Sequence, residues 1–186
     1  MDKSFLVLFC KKEQALLFEK RSKNFSPLAS QQTFEGPLVM TKSGHLEIAE
    51  LIPHAGTMCL LDAVIRWDAT SIVCRAASHR DRNNPLARNG RLAAICGIEY
   101  ASQAMALHGR LASGGAHRPT AGYLASVRDV TCHTARLDDL PGDLVVKAEC
   151  LHADGGGAIY GFAIHSDEQP IIEGRAAVVL HARPPA

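Results

Sequence analysis

Lysine nearly disappears from this sequence after its first quarter. Six of the seven lysines lie in the first 42 residues, and only Lys147 follows. The formal net charge is +1, which argues against a general nucleic-acid-binding surface. No apolar run approaches the roughly 18 residues needed to cross a bilayer, so no membrane span is expected. The opening MDKSFLVLFCKKE imitates a signal peptide weakly. Its apolar run, Phe5 to Cys10, stops at Lys11 and Lys12, and no small-residue cleavage site follows. The expected location is the cytoplasm.

Metal-binding spacings are also missing. The six cysteines are Cys10, Cys59, Cys74, Cys96, Cys132 and Cys150, and none forms a CxxC pair. Cys150 and His152 are two apart, but no second pair completes a zinc spacing, so no metal site is expected. Four of the cysteines lie in apolar runs, which suits buried reduced thiols. Gly155-Gly156-Gly157 lacks the Lys-Ser/Thr and the following helix of a phosphate loop. It reads as a hairpin connection.

What is present is ordinary for a soluble globular chain: 47% apolar and 21% charged residues in a length of 186. Composition changes near residue 40. Five of the six phenylalanines fall in the first 34 residues, and arginine replaces lysine beyond the break. Residues 1–39 are an extension to which two readings apply: poorly ordered sequence, or upstream sequence read through before a start at Met40. Residues 40–186 suffice for one domain.

Within that domain, Leu46, Ile48, Leu51 and Ile52 predict a short amphipathic helix over His45–Ile52, stopped by Pro53. A turn follows at 53–56. Met58–Asp68 and Thr70–Ala76 read as paired strands. Ser78–Arg91 has no periodicity and many turn formers, so it reads as a loop. Ala94–Leu111 is apolar on nearly every side and predicts a buried helix ending near Gly109. After a flexible break at Ser113-Gly114-Gly115, strands are expected over Gly122–Thr131, Leu144–Ala153, Ala158–His165 and Pro170–Leu180. An antiparallel sheet wrapped around one helix would bury that helix on all sides.

Among the polar residues that interrupt the helix are Glu99 and Gln103. Four residues apart, they share one face. A carboxylate in an apolar helix needs a partner or a raised pKa. Glu99 has two readings at this level: a first-turn acid that suits the helix dipole, or a functional acid. His108, His133 and His165 read as surface or strand residues without a visible partner.

The order of elements and three motifs resemble the hotdog fold, an α+β fold, and more narrowly the FabZ-type 3-hydroxyacyl-acyl-carrier-protein dehydratases. The motifs are Leu51-Ile52-Pro53-His54 followed by Leu60-Leu61-Asp62, then Gly97-Ile98-Glu99-Tyr100-Ala101-Ser102-Gln103, then Pro141-Gly142-Asp143 leading into a strand. Together they span residues 46–180. Asn84-Pro85, the Glu99-Tyr100 pair and Ser126-Val127-Arg128-Asp129 bring the sequence nearest the divergent branch that includes a subunit of aryl-polyene biosynthesis.

The resemblance implies a dehydratase acting on 3-hydroxyacyl thioesters held on the phosphopantetheine arm of an acyl carrier protein, with no other cofactor. It implies catalytic Glu99, with Gln103 holding it or packing beside it. Cys96 and Gly97 are expected to bind the thioester through backbone N–H groups at the helix N-terminus, where Gly97 leaves room. Arg80, Arg82, Arg88 and Arg91 around the loop are candidates for steering the carrier or binding its phosphate.

One departure matters. FabZ-type enzymes carry a catalytic histidine in a GHFPG loop ahead of the helix glutamate. Here that loop, Asn84 to Arg91, contains no histidine. Dehydration needs a base for the C2 proton and an acid for the hydroxyl. His54 can supply the base in a homodimer, or a related hotdog dehydratase can supply it in a heterodimer. The shortened loop favours the partner route. Two other readings stand beside the dehydratase: a hotdog thioesterase, and a non-catalytic partner subunit.

Overall fold

Alternation along the C-terminal strands builds the sheet. In a computed structural model, β4 (Leu144–Asp154) buries Leu144, Val146 and Ala148 and exposes Val145, Lys147 and Glu149 between them. The neighbouring β5 (Gly157–Ser166) buries Tyr160, Phe162, Ile164 and Ser166 on the same face. A period of two places those side chains on one side of the pleat. Each fully buried Leu or Ile contributes about 1.5–3 kcal/mol relative to exposure.

The structure describes residues 48–114 and 122–180, which lie in a compact unit spanning His45–Ala186. The expected readings of residues 1–39, the first turn of the His45–Ile52 helix and Gly115 fall outside them. The remaining α-helices and strands are α1 (Ile48–Leu51), β1 (Ala63–Trp67), β2 (Ser71–Ala76), α2 (Gly97–Ala112), β3 (Gly122–Cys132) and β6 (Gln169–Leu180), with 3-10 turns at Gly56–Met58, Ser78–Arg80 and Ala94–Cys96. All strand pairs are antiparallel, in the order β1-β2-β4-β5-β6-β3. The helix α2 packs across β4, β2 and β5. This is the sheet wrapped on one long helix that the resemblance implies.

The helix start is set from two sides. Leu137 N–H donates to Leu92 O at 2.8 Å, and Ala94 N–H to Ala135 O at 3.0 Å. Asp138 accepts from Leu92 N–H at 2.7 Å and from Arg136. The Arg136 hydrogen bond, helped by that N–H, holds the Asp138 carboxyl down at about 2. A 3-10 turn, Ala94–Cys96, then leads into α2. At the other end α2 runs past Gly109 to Ala112, and Gly114 takes the left-handed conformation (φ 71°) common just after helix ends.

Two further expectations change. The predicted strand Met58–Asp68 is a strand only from Ala63; Gly56–Met58 is a 3-10 turn. Leu60 between them gives its N–H and C=O to side chains rather than to a sheet ladder. The loop Ser78–Arg91 also contains a two-residue hairpin, with Arg88 and Arg91 exchanging both backbone bonds at 2.8 and 2.9 Å. Asn89 (φ 52°) and Gly90 (φ 71°) turn it. Asn-Gly is the strongest short-range hairpin signal, and it was there to be read.

Candidate active site

Glu99 sits one turn into α2 and is 4% exposed. Its Oε1 accepts from Gln103 Nε2 at 3.0 Å, across one turn of the helix. His54 Nε2, on the segment that follows α1, lies 3.1 Å from the same oxygen. The sequence pattern aligned Glu99 with Gln103; only the fold brings His54 to them. Oε2 of Glu99 accepts no hydrogen bond from the described residues.

Gln103 is fully buried and saturated. Its Oε1 accepts from Leu60 N–H at 2.9 Å, and its second Nε2 hydrogen goes to Met58 O at 2.7 Å. These partners fix the amide orientation, since a flipped amide would set oxygen against oxygen at Met58. Cys59 Sγ donates to His54 O at 3.3 Å. The segment 54–60 is thereby strapped onto α2. His54 Nδ1 is sealed and meets no hydrogen-bond partner among the described residues.

The backbone N–H groups of Cys96 and Gly97 are not free, contrary to the expectation from the sequence. Cys96 N–H donates to Ala93 O at 3.0 Å, and Gly97 N–H to Ala94 O and Ile95 O. The 3-10 turn has consumed both donors. Gly97 is required for packing instead: a Cβ there would meet Ile172 Cγ2 at 2.7 Å and Ile164 Cδ1 at 3.2 Å. The missing side chain lets the helix close onto β5 and β6.

The four arginines separate into two groups. Arg80 donates to Pro141 O at 2.7 Å and to Asp143 Oδ1 at 2.6 Å, so it holds the Pro141-Gly142-Asp143 turn. That bond, with Arg75 nearby, keeps the Asp143 carboxyl below its ordinary range. Arg82, Arg88 and Arg91 are exposed and form no ion pair among the described residues.

Sequence reasoning missed a second polar cluster behind Glu99. Tyr100 is fully buried, and its hydroxyl meets Ser78 Oγ and Asn84 Nδ2, each at 3.0 Å. Burial raises its pKa to about 12, so it stays a neutral phenol. A tyrosine in the buried first half of the helix was the available signal, because a buried phenol normally finds a partner. His108 corrects another expectation. It is buried, with Nδ1 2.9 Å from Tyr160 Oη and Nε2 3.1 Å from Asp68 O. His133 pairs with Glu173 at 3.3 Å. Of the cysteines, Cys74 and Cys96 are buried, Cys59 and Cys150 partly so, and Cys132 is exposed. Among the described residues no cluster of His, Cys, Asp and Glu could hold a metal, and no helix is long and apolar enough to cross a membrane.

Comparison with known proteins agrees with this geometry. The ApeP-like family, described as ApeP dehydratase, matches residues 46–184. No curated protein matched. Among solved structures, the dehydratase heterocomplex ApeI:P from Xenorhabdus doucetiae is similar at a TM-score of 0.64 and 20% identity, over 73% of this chain and 91% of that one. An HP0420-homologue from Helicobacter felis is similar at a TM-score of 0.54 and 12% identity, over 80% of this chain and 96% of the other. At these identities the structures speak for the fold, and the family match speaks for the chemistry. The chain has the hotdog fold and belongs to the ApeP-like family of dehydratases.

Proposed function

We propose that the chain dehydrates 3-hydroxyacyl thioesters presented on an acyl carrier protein, using Glu99 as acid and His54 as base. The observation that carries this reading is the 3.1 Å contact between His54 Nε2 and Glu99 Oε1 within one chain. Dehydration removes a proton from C2 and delivers one to the hydroxyl on C3, which leaves as water. Glu99 Oε2 is the oxygen without a protein partner and gives its proton to the hydroxyl. Nε2 is the base, because Nδ1 is sealed. The C2 proton lands on Nε2, beside Oε1, and can return to the carboxylate along that contact. The cycle is proton-neutral: the ring ends neutral and the carboxyl protonated on Oε1, and exchange with solvent moves that proton to Oε2 before the next turnover. Arg82, Arg88 and Arg91 are the arginines left to meet an acidic carrier or its phosphate, since Arg80 is committed to Asp143.

A second reading is a heterodimer with a related dehydratase. His54 Nδ1 favours it: for Nε2 to accept a proton, the neutral ring must carry its own on Nδ1, which has no acceptor among the described residues. The similar Xenorhabdus doucetiae structure is itself a heterocomplex.

The test is to incubate the purified chain with 3-hydroxyacyl and enoyl thioesters of a carrier protein. Interconversion with the thioester intact, lost in His54→Ala, supports the single-chain dyad. Free acid identifies a thioesterase. Inactivity that is relieved by a related dehydratase, and is indifferent to His54→Ala, supports the partner reading.

A further inference from the structure

The cluster behind Glu99 has a direction that hydrogen counting fixes. Ser78 Oγ donates its one hydrogen to Leu60 O at 2.7 Å. In its 3.0 Å contact with Tyr100, Ser78 can then only accept, so the phenol donates. Asn84 spends one Nδ2 hydrogen on Ser78 O at 2.9 Å and the other on Tyr100 Oη at 3.0 Å. Its Oδ1 accepts from Leu86 N–H at 3.0 Å. The bonds run one way: Asn84 to Tyr100 to Ser78 to Leu60 O.

Leu60 is where this chain meets the site. Its carbonyl is held by Ser78, and its N–H by Gln103, which also holds Glu99 and Met58. Both polar groups of one residue are therefore tied, directly or through Ser78, to α2 side chains one turn apart. The strap that carries His54 cannot slide along α2 without breaking one of them. The loop that holds the catalytic histidine in FabZ-type enzymes here contributes Asn84, the first donor of the chain.

We propose that Asn84, Tyr100 and Ser78 are positioning residues that set the register of the His54 strap against Glu99. The loop has become a brace for the base instead of its source. This rests on the reading of His54 and Glu99 as the reacting pair. A misplacement of about 1 Å at such a pair costs roughly a hundredfold in rate.

The test uses Tyr100→Phe and Ser78→Ala, each of which breaks the chain, and Ser78→Thr, which keeps the hydroxyl. For each, kcat and KM are measured with a 3-hydroxyacyl carrier thioester. The ¹⁵N signals of the His54 imidazole, identified by their loss in His54→Ala, report its tautomer and hydrogen bonding. Tyr100→Phe and Ser78→Ala should lower kcat by roughly ten- to a hundredfold with KM little changed, and shift the His54 signals. Ser78→Thr should restore both. Wild-type kcat and unshifted His54 signals in a folded Tyr100→Phe or Ser78→Ala protein would overturn the brace. If the wild type does not dehydrate at all, the functional reading fails, and the brace is judged on the imidazole signals alone. Should Tyr100→Phe not fold, Ser78→Ala decides.

Discussion

His54 and Glu99 are 45 positions apart, and Nε2 of one lies 3.1 Å from Oε1 of the other. Glu99→Gln preserves the shape of the acid and its place beside Gln103 while removing the exchangeable proton. Turnover of a carrier-bound 3-hydroxyacyl thioester should fall by about 10²–10⁴-fold, with the melting temperature little changed. Steady-state kinetics and a thermal melt check both parts, and unchanged turnover returns Glu99 to a structural role.

Gln103→Leu removes three hydrogen bonds at once, to Leu60, Met58 and Glu99. Each buried group left without a partner costs about 1–3 kcal/mol. Partial relaxation should bring the total to about 2–4 kcal/mol, read from the denaturant midpoint. A loss near zero would mean that water replaces the amide.

Gly97→Ala tests the close approach of helix and sheet. Its Cβ would stand 2.7 Å from Ile172 Cγ2. Overpacking of this kind costs about 1–3 kcal/mol. In an Ile172→Ala background the clash partner is gone, and the cost of Gly97→Ala should shrink. A double-mutant cycle in urea measures the difference.

His79 predicts a pH dependence of stability. Burial pushes its pKa below the ordinary value of 6.5. As pH falls through that value, the unfolded chain takes up a proton that the folded chain resists. Stability therefore falls as pH drops below 6.5, until the folded-state pKa is reached. Melting curves between pH 5 and 7 should show a shallower slope for His79→Gln than for wild type. Identical slopes would remove His79 from the account.

The sheet ends at β1 and β3, and β3 is the longer edge, Gly122–Cys132. An open edge of that length is a template for pairing. Two β3 edges joined about a twofold axis would make β3 a central strand of a double sheet. Sedimentation at micromolar concentration should give a dimer, and a monomer would count against pairing there.

Much of this protein follows from local rules written in the sequence. A period of two specifies β4 and β5, because alternate side chains must point to opposite faces. A mostly apolar helix needs a sheet against it, and Glu99 with Gln103 share a face because four residues make slightly more than one turn. Other features have no local cause. Met58–Leu61 carries a strand's composition, yet Leu60 bonds to Gln103 and Ser78, whose positions depend on distant parts of the chain. Gly97 reads as room for a ligand until Ile172, on a strand 75 residues later, occupies the space where a side chain would stand. Cys96 and Gly97 lose their N–H groups to a 3-10 turn whose start is held by residues 135–138. The pairing of His54 with Glu99 is of the same kind. A histidine in a turn and a glutamate in a helix each have many possible partners, and only the packing of the strap on α2 selects this one.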